Sequence, residues 1–248
     1  MRFLSLASSS HGNAYIISDS ETHILLECGL SYRKLQKASG FTLDRLAACF
    51  ISHEHKDHAG CWRELLKNGL KVYASGGTAD ALECKEITVM EERRPVTVGT
   101  LEVMTFRVFH DAAEPVGFLV RSGVDRDKLA FATDTVNLQY QFPGVTILAV
   151  ECNYETSIIE QRDRIPEKVR QRIRNNHMEV SRLCRWLTGL DLSTCREIYL
   201  LHLSDACSNE ADFVRMVQRC VPAGISVNAC PRENAALEAG HGGGNGHG

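Results

Sequence analysis

Apolar and polar positions along the chain sort into short runs that switch between a period of two and a period near 3.6. AYIIS at 14–18 and HILLEC at 23–28 are apolar stretches joined by the turn-like SDSET, which predicts an antiparallel hairpin. LAACFIS at 46–52 is apolar almost throughout and predicts a strand buried on both faces. AGCWRELLKNG spaces its apolar residues as a helix does, with Gly69 as its stop. KVYAS at 71–75 reads as a strand, and GGTADALEC as a helix capped by Thr78. Gly76 and Gly77 give that helix a tight entry and do not form a phosphate loop, because no Gly-Lys-Ser/Thr follows.

From residue 87 to 133 the period returns to two, in EITVM, PVTVG, LEVMTFRVF, PVGFLVRS and KLAFAT, with VTILAVEC at 145–152 as one more strand. A charged helical stretch is predicted over 160–190. REIYLLHLS follows as a strand, NEADFVRMVQRC as a helix and GISVNAC as a last strand. Strands dominate both halves with helices between them. This pattern predicts an α/β (α+β) fold in which two mixed sheets pack face to face with helices outside. Residues 1–238 read as one domain. The tail, AGHGGGNGHG at 239–248, reads as a glycine-rich flexible segment whose two histidines carry no metal role.

Composition narrows the classes. Of 248 residues, 44% are hydrophobic and 24% charged, the balance of an ordinary domain with a sizeable core. A net charge of −3 gives no global basic field, so nucleic-acid binding would need a local patch. No stretch approaches the roughly 20 apolar residues of a membrane span, and MRFLSLASSSHGNAYII lacks the long apolar run of a secretory signal. The ten cysteines include no CxxC pair, which excludes a zinc ribbon. They read as reduced, buried thiols of a cytoplasmic protein.

The densest chemistry lies in FISHEHKDHAG at 50–60, which places three of the chain's ten histidines beside two acids directly after an apolar strand. In extended backbone His53, His55 and Asp57 point to one side. If a helix begins at Asp57, His58 swings into the same space. Imidazole and carboxylate suit Zn²⁺, Mn²⁺ or iron, and strand C-termini are where α/β sheets build their sites.

HEHKDH is the H-x-H-x-D-H signature of the metallo-β-lactamase superfamily, which the chain resembles. That family's later ligands have counterparts at strand ends here: His110 in MTFRVFHDAAEPVGFLV, Asp134 in KLAFATDT and His202 in EIYLLHLSD. The resemblance implies a four-layer αββα sandwich. It implies that His53, His55 and His110 hold one metal, that Asp57, His58 and His202 hold a second, and that Asp134 bridges them. Two divalent ions, Zn or Mn with Fe as a third candidate, would then activate a water and stabilise transition-state charge. Asp57 and His177 are the candidate catalytic residues. Histidine stands where oxygen-reducing diiron relatives carry an acid, so the resemblance implies hydrolysis. In LLECGL, Glu27 occupies the usual place of an aspartate and is read as a supporting residue.

SSSHGNAY, AVECNYE, RIPEKVRQRIRNNHMEVSRLCRWL and IYLLHLSDACSNE further resemble the YycJ-like branch of that superfamily, up to about residue 230. Tyr154 replaces a usual histidine there, and Asn176-His177-Met178 a usual Gly-His-Leu. The branch implies a phosphodiesterase or nuclease of DNA 5′-exonuclease type. RDRIPEKVRQRIR adds Arg162, Arg164, Lys168, Arg170, Arg172 and Arg174, whose guanidinium forks suit phosphate oxygens, although a solvated helix face is an equal reading. Arg170, Arg172, Arg174 and His177 are the candidate substrate contacts. Ser8–Gly12 is either a turn beside the site or plain surface. A small-molecule hydrolase (cyclic nucleotide, lactone or thioester) and a metal-bound partner-binding module are the alternative functions. Homo-oligomerisation is compatible with every one of these readings.

Overall fold

The computed structural model describes residues 1–161 and 165–233. Arg162, Arg164 and the 239–248 tail lie outside the described residues. One sheet runs β1 (Arg2–Ser9), β2 (Gly12–Ser18), β3 (His23–Leu26), β4 (Ala48–Phe50), β5 (Val72–Ala74) and β6 (Thr88–Val89), in chain order. Its first three strands are antiparallel and the rest parallel. The other sheet comprises β7 (Val96–Val98), β8 (Leu101–Arg107), β9 (Val116–Ser122), β10 (Lys128–Ala132), β11 (Ile147–Glu151), β12 (Glu197–Leu201) and β13 (Ser226–Ala229), also neighbours in chain order. Here β7 to β10 are antiparallel and β10 to β13 parallel.

Side-chain alternation divides the core into layers. Ile24 and Leu26 of β3 join Phe118, Phe131, Ile147 and Ala149 of the second sheet in one apolar layer between the sheets. Leu25 points the other way, into a layer shared with Leu35, Trp62, Leu65 and Ala79. These belong to α1 (Tyr32–Ala38), α3 (Trp62–Lys67) and α4 (Gly76–Ala81), while α2 (Lys56–Ala59) follows β4. On the far side, Leu148 and Val150 of β11 pack against Val180, Leu183, Phe213 and Val217. The helices there are α7 (Val180–Thr188) and α8 (Glu210–Cys220), preceded by α5 (Thr156–Gln161) and α6 (Glu167–Asn176). The order is helices, sheet, sheet, helices. This is the expected αββα sandwich.

Three local expectations are corrected. Thr78 lies inside α4. Its backbone N–H donates to Ser75 Oγ, and Ser75 is the cap. The charged 160–190 stretch is not one helix. Tyr154 forms a parallel bridge to Glu179, and the Met178 N–H donates to the buried Glu151 carboxylate at 3.1 Å, pulling 177–179 into extended backbone. Finally, Asp57 does not continue an extended run from His53 and His55, because α2 begins at Lys56 and carries Asp57 and His58 together.

Asp19 joins the sheets at the strand ends opposite the histidine cluster. Oδ1 accepts from the Glu21 and Thr22 N–H groups at 3.0 and 2.8 Å, and Oδ2 from the Thr100 and Ser122 hydroxyls at 2.7 and 2.8 Å.

Candidate metal centre

The cluster gathers at one edge of the sandwich, where β3, β4, β8, β10, β11 and β12 end. Each strand delivers a polar side chain just past its apolar run, so burial of the strand fixes the ligand's starting point. Three of these residues carry backbone strain: Glu27, Asp134 and His202 adopt φ of 65°, 37° and 52°. The turns aim their side chains inward. Gly29 admits the motif loop, since a Cβ there would meet Asp57 O at 1.7 Å.

Two groups of ligand atoms form, and Asp134 joins them. In the first, His53 Nε2 and His110 Nε2 lie 3.1 and 3.2 Å from His55 Nδ1. Those separations are near the roughly 3.3 Å edge of a tetrahedron with metal–nitrogen bonds of about 2.0–2.1 Å. The outer nitrogens are committed elsewhere, His53 Nδ1 to Ser52 Oγ at 2.9 Å and His110 Nδ1 to Asn176 O at 3.1 Å. In the second group, His58 Nε2 lies 3.4 Å from both Asp57 Oδ2 and Asp134 Oδ1, and His202 Nδ1 is 3.1 Å from Asp134 Oδ1. His202 Nε2 is 3.7 Å from Asp57 Oδ2, yet this buried nitrogen has no hydrogen-bond partner among the described residues. Asp134 Oδ2 faces the first group, 3.6 Å from His110 Nε2.

Electrostatics divides the groups as a metal site requires. Burial, reinforced by the charge of His58, pushes His53 well below the ordinary histidine range, and burial lowers His110 as well, leaving neutral lone pairs. Burial is the largest single influence and acts against charge on His58 and His202. The neighbouring carboxylates, Asp134 with Asp57 and Glu27 for His58 and Asp134 with Asp57 and Glu151 for His202, together outweigh it and raise both. Asp57 is buried too, but His202 and His58 hold its carboxyl well below the usual range. The second group therefore has a strong demand for positive charge. A buried nitrogen without a partner, converging lone pairs and a carboxylate facing both groups fit two divalent cations.

The structure brings the seven ligand candidates His53, His55, Asp57, His58, His110, Asp134 and His202 together. Glu27 is buried behind them, accepting from the Ser52 N–H at 3.1 Å and lying 3.3 Å from His58 Nδ1, so it orients that ring. His177 also reaches the cluster, its ring centroid 5.5 Å from His110 and 5.4 Å from His202. The arginines separate. Arg172 lies 3.6 Å from Asp111 at the rim, Arg174 pairs with Glu160 and Glu167 at 3.6 Å, and Arg170 Nε donates to Ile165 O at 2.8 Å. Tyr154 is buried against Ile159 and Cys207.

Two residues of the site lack a warning in residue spacing. Glu151 is fully buried, with Oε1 at 2.7 Å from His177 Nδ1 and 3.2 Å from His202 Nδ1, while Oε2 accepts from the Thr135 and Met178 N–H groups. Its sequence signals are an acid closing an otherwise apolar strand and its place in the AVECNYE stretch that resembles the YycJ-like branch, neither of which states its role. Asn13 Nδ2 lies 3.2 Å from both Asp57 O and His58 Nε2, and its Oδ1 accepts from the Tyr15 hydroxyl. Tyr15 in turn meets Ser8 Oγ, which accepts from the His202 N–H at 2.8 Å. The Ser8–Asn13 turn is thus built into the site, while His11 remains exposed near Asp205.

The sequence profile of the beta-lactamase superfamily domain matches residues 22–203, and the chain belongs to that superfamily. Within it the chain is YycJ-like. Exodeoxyribonuclease YycJ of Bacillus anthracis is 28% identical over 221 residues, covering 82% of this chain and 83% of the relative. Exodeoxyribonuclease WalJ of Streptococcus pneumoniae is 26% identical over 243 residues, covering 90% and 89%. Among solved structures, the metallo-beta-lactamase fold protein YhfI from Bacillus subtilis superposes with a TM-score of 0.69 at 15% identity, covering 94% of this chain and 97% of that one. Human tRNase Z, short form, superposes with a TM-score of 0.64 at 15% identity, covering 94% and 98%. These two likenesses are of fold.

Proposed function

We propose that this protein is a dinuclear metal-dependent phosphodiesterase that degrades DNA from a strand end, a nuclease of 5′-exonuclease type. One observation carries the reading: the His53–His55–His110 group lies beside the Asp57–His58–Asp134–His202 group, with Asp134 Oδ2 3.6 Å from His110 Nε2, and the His177–Glu151 pair borders the same space. Similarity along most of the chain to two exodeoxyribonucleases supports the choice of DNA.

In this reading His53, His55 and His110 would hold one ion and Asp57, His58 and His202 the other, with Asp134 as the ligand available to both. The ions are Zn²⁺ or Mn²⁺, with iron third. When bound they supply an activated water and a charge sink for the phosphoryl oxygens. Asp57 also accepts a hydrogen bond from the attacking water, orienting it. Glu151 holds the His177 ring through Nδ1, so that Nε2, on the opposite side of the ring, contacts the scissile phosphate and gives a proton to the leaving oxygen. Burial acts against a charged His177, while the charge and hydrogen bond of Glu151 and the charge of Asp134 favour it, and the balance raises its pKa. Arg172, exposed at the rim, meets the phosphate backbone, while Arg170 and Arg174 of the same helix are half-buried and turned to Ile165 O, Glu160 and Glu167.

A small-molecule hydrolase is the second reading, favoured by the net charge of −3. No helix among the described residues is long and apolar enough to cross a membrane. Our reading places the enzyme in the cytoplasm, where its ten free thiols stay reduced.

The test is a substrate panel with Mn²⁺- or Zn²⁺-loaded protein: bis-p-nitrophenyl phosphate, end-labelled DNA, RNA, a cyclic nucleotide and a lactone. Stepwise shortening of DNA is the expected result. Turnover confined to the lactone or the cyclic nucleotide would sink the nuclease reading.

A further inference from the structure

A groove of about 710 Å³ opens beside the histidine cluster, with His110 as part of its wall. Its sides come from three segments: the loop after β8, the segment after Asp134, and the C-terminal end of α6. Asp111, which lines the groove, lies 3.3 Å from His110 Nε2, so the groove borders the proposed metal centre. Within it, Phe109 is 46% exposed and Tyr140 is half-buried.

A single exposed aromatic is ordinary on a protein surface. Phe109 differs because its backbone is fixed from both sides. Its N–H donates to Thr135 Oγ1 and its carbonyl accepts from the Val136 N–H, both at 3.0 Å. An exposed ring carried on a fixed backbone loses less freedom when another ring stacks on it than one carried on a mobile loop.

The groove also has a charge to offer. Arg107 lines it, is exposed, and forms no ion pair or side-chain hydrogen bond among the described residues. The two acids of the lining are engaged: Asp111 lies 3.6 Å from Arg172 Nε, and Glu114 Oε2 accepts from the Gly77 N–H at 2.7 Å. An uncommitted guanidinium beside rigid aromatic faces matches one repeating unit of a nucleic-acid strand, phosphate plus base.

We propose that this groove is a nucleotide subsite of the phosphodiesterase, in which Phe109 and Tyr140 hold a nucleobase next to the scissile bond and Arg107 binds the adjoining phosphate. The proposal rests on the phosphodiesterase reading and names where its DNA strand lies. It selects no base, because every base offers a π-face, so cleavage there is independent of sequence.

Metal-loaded protein is irradiated with single-stranded DNA that carries 5-iodouracil at its end and phosphorothioate links to slow cleavage, and crosslinked peptides are mapped by mass spectrometry. Crosslinks should fall on Phe109 or Tyr140. On unmodified DNA, Phe109→Ala should raise KM about tenfold with kcat within about twofold, and Phe109→Trp should restore it. Arg107→Ala should flatten the dependence of log KM on log salt by about 0.7. Crosslinks mapped only outside the groove, or an unchanged KM in Phe109→Ala, would overturn the subsite. Protein that crosslinks at Phe109 but leaves DNA intact would refute the phosphodiesterase reading and keep the subsite. Protein that cleaves DNA and crosslinks elsewhere would do the reverse.

Discussion

Glu151 Oε1 lies 2.7 Å from His177 Nδ1, a buried carboxylate holding a partly exposed imidazole at the edge of the histidine cluster. The same carboxylate reaches His202 and two backbone N–H groups. It thereby ties the break between α6 and α7 to the end of β11.

In the proposed mechanism the pairing separates proton transfer from metal binding. His177→Ala should lower kcat for DNA by about 10²–10⁴-fold while metal content per chain stays that of the unaltered protein. Steady-state kinetics combined with elemental analysis checks both halves. Loss of bound metal in this variant would make His177 structural.

Glu27 sits behind His58 Nδ1 at 3.3 Å without touching either group's interior. Glu27→Ala should weaken metal affinity by about 10–100-fold, measured by competition with a chromophoric chelator. Saturating metal should bring back most of the activity, because the ligands themselves remain. An affinity equal to the unaltered protein's would remove Glu27 from the site.

Asp19 gives a stability signal away from the metal ligands. Burial acts to raise its pKa, but the Glu21 N–H and three further bonds, from Thr100, Thr22 and Ser122, outweigh it and hold the carboxyl at about 2 against the ordinary 3.8. A depressed folded pKa means stability that is present above pH 3.8 and lost as the pH falls through about 2. Asp19→Ala should cost about 1–3 kcal/mol at pH 7, read as a lower urea midpoint at unchanged slope. The difference between variant and parent should shrink between pH 4 and pH 2. A gap independent of pH would contradict the titration.

Much of the architecture was legible in short apolar runs, because strands covered on both faces read as continuous apolar segments, as in Ile24, Leu25 and Leu26, whose side chains alternate between two layers. The histidine cluster was legible because its first four members are adjacent in the chain. The others became visible through resemblance and strand-end placement. Glu151 stayed hidden because its role comes from its partners His177, Met178 and Thr135, all brought in by tertiary packing. Asn13 was hidden for the same reason, and Ser8 was legible only as part of a turn beside the site or plain surface, since they reach His58 and His202 across 45 and 194 residues. The break at His177 escaped helical periodicity because a buried carboxylate took the Met178 N–H that a continuous helix would have used.

The proposed centre holds two ions with seven side chains. The most direct test is elemental analysis of the purified chain after dialysis against Mn²⁺ or Zn²⁺, paired with DNA cleavage before and after chelation. Two ions per chain are predicted, with cleavage abolished by EDTA and restored by the metal, and with His55→Ala and Asp134→Ala both binding less metal. Cleavage that persists in metal-free protein, or a chain that saturates at a single ion, would contradict it.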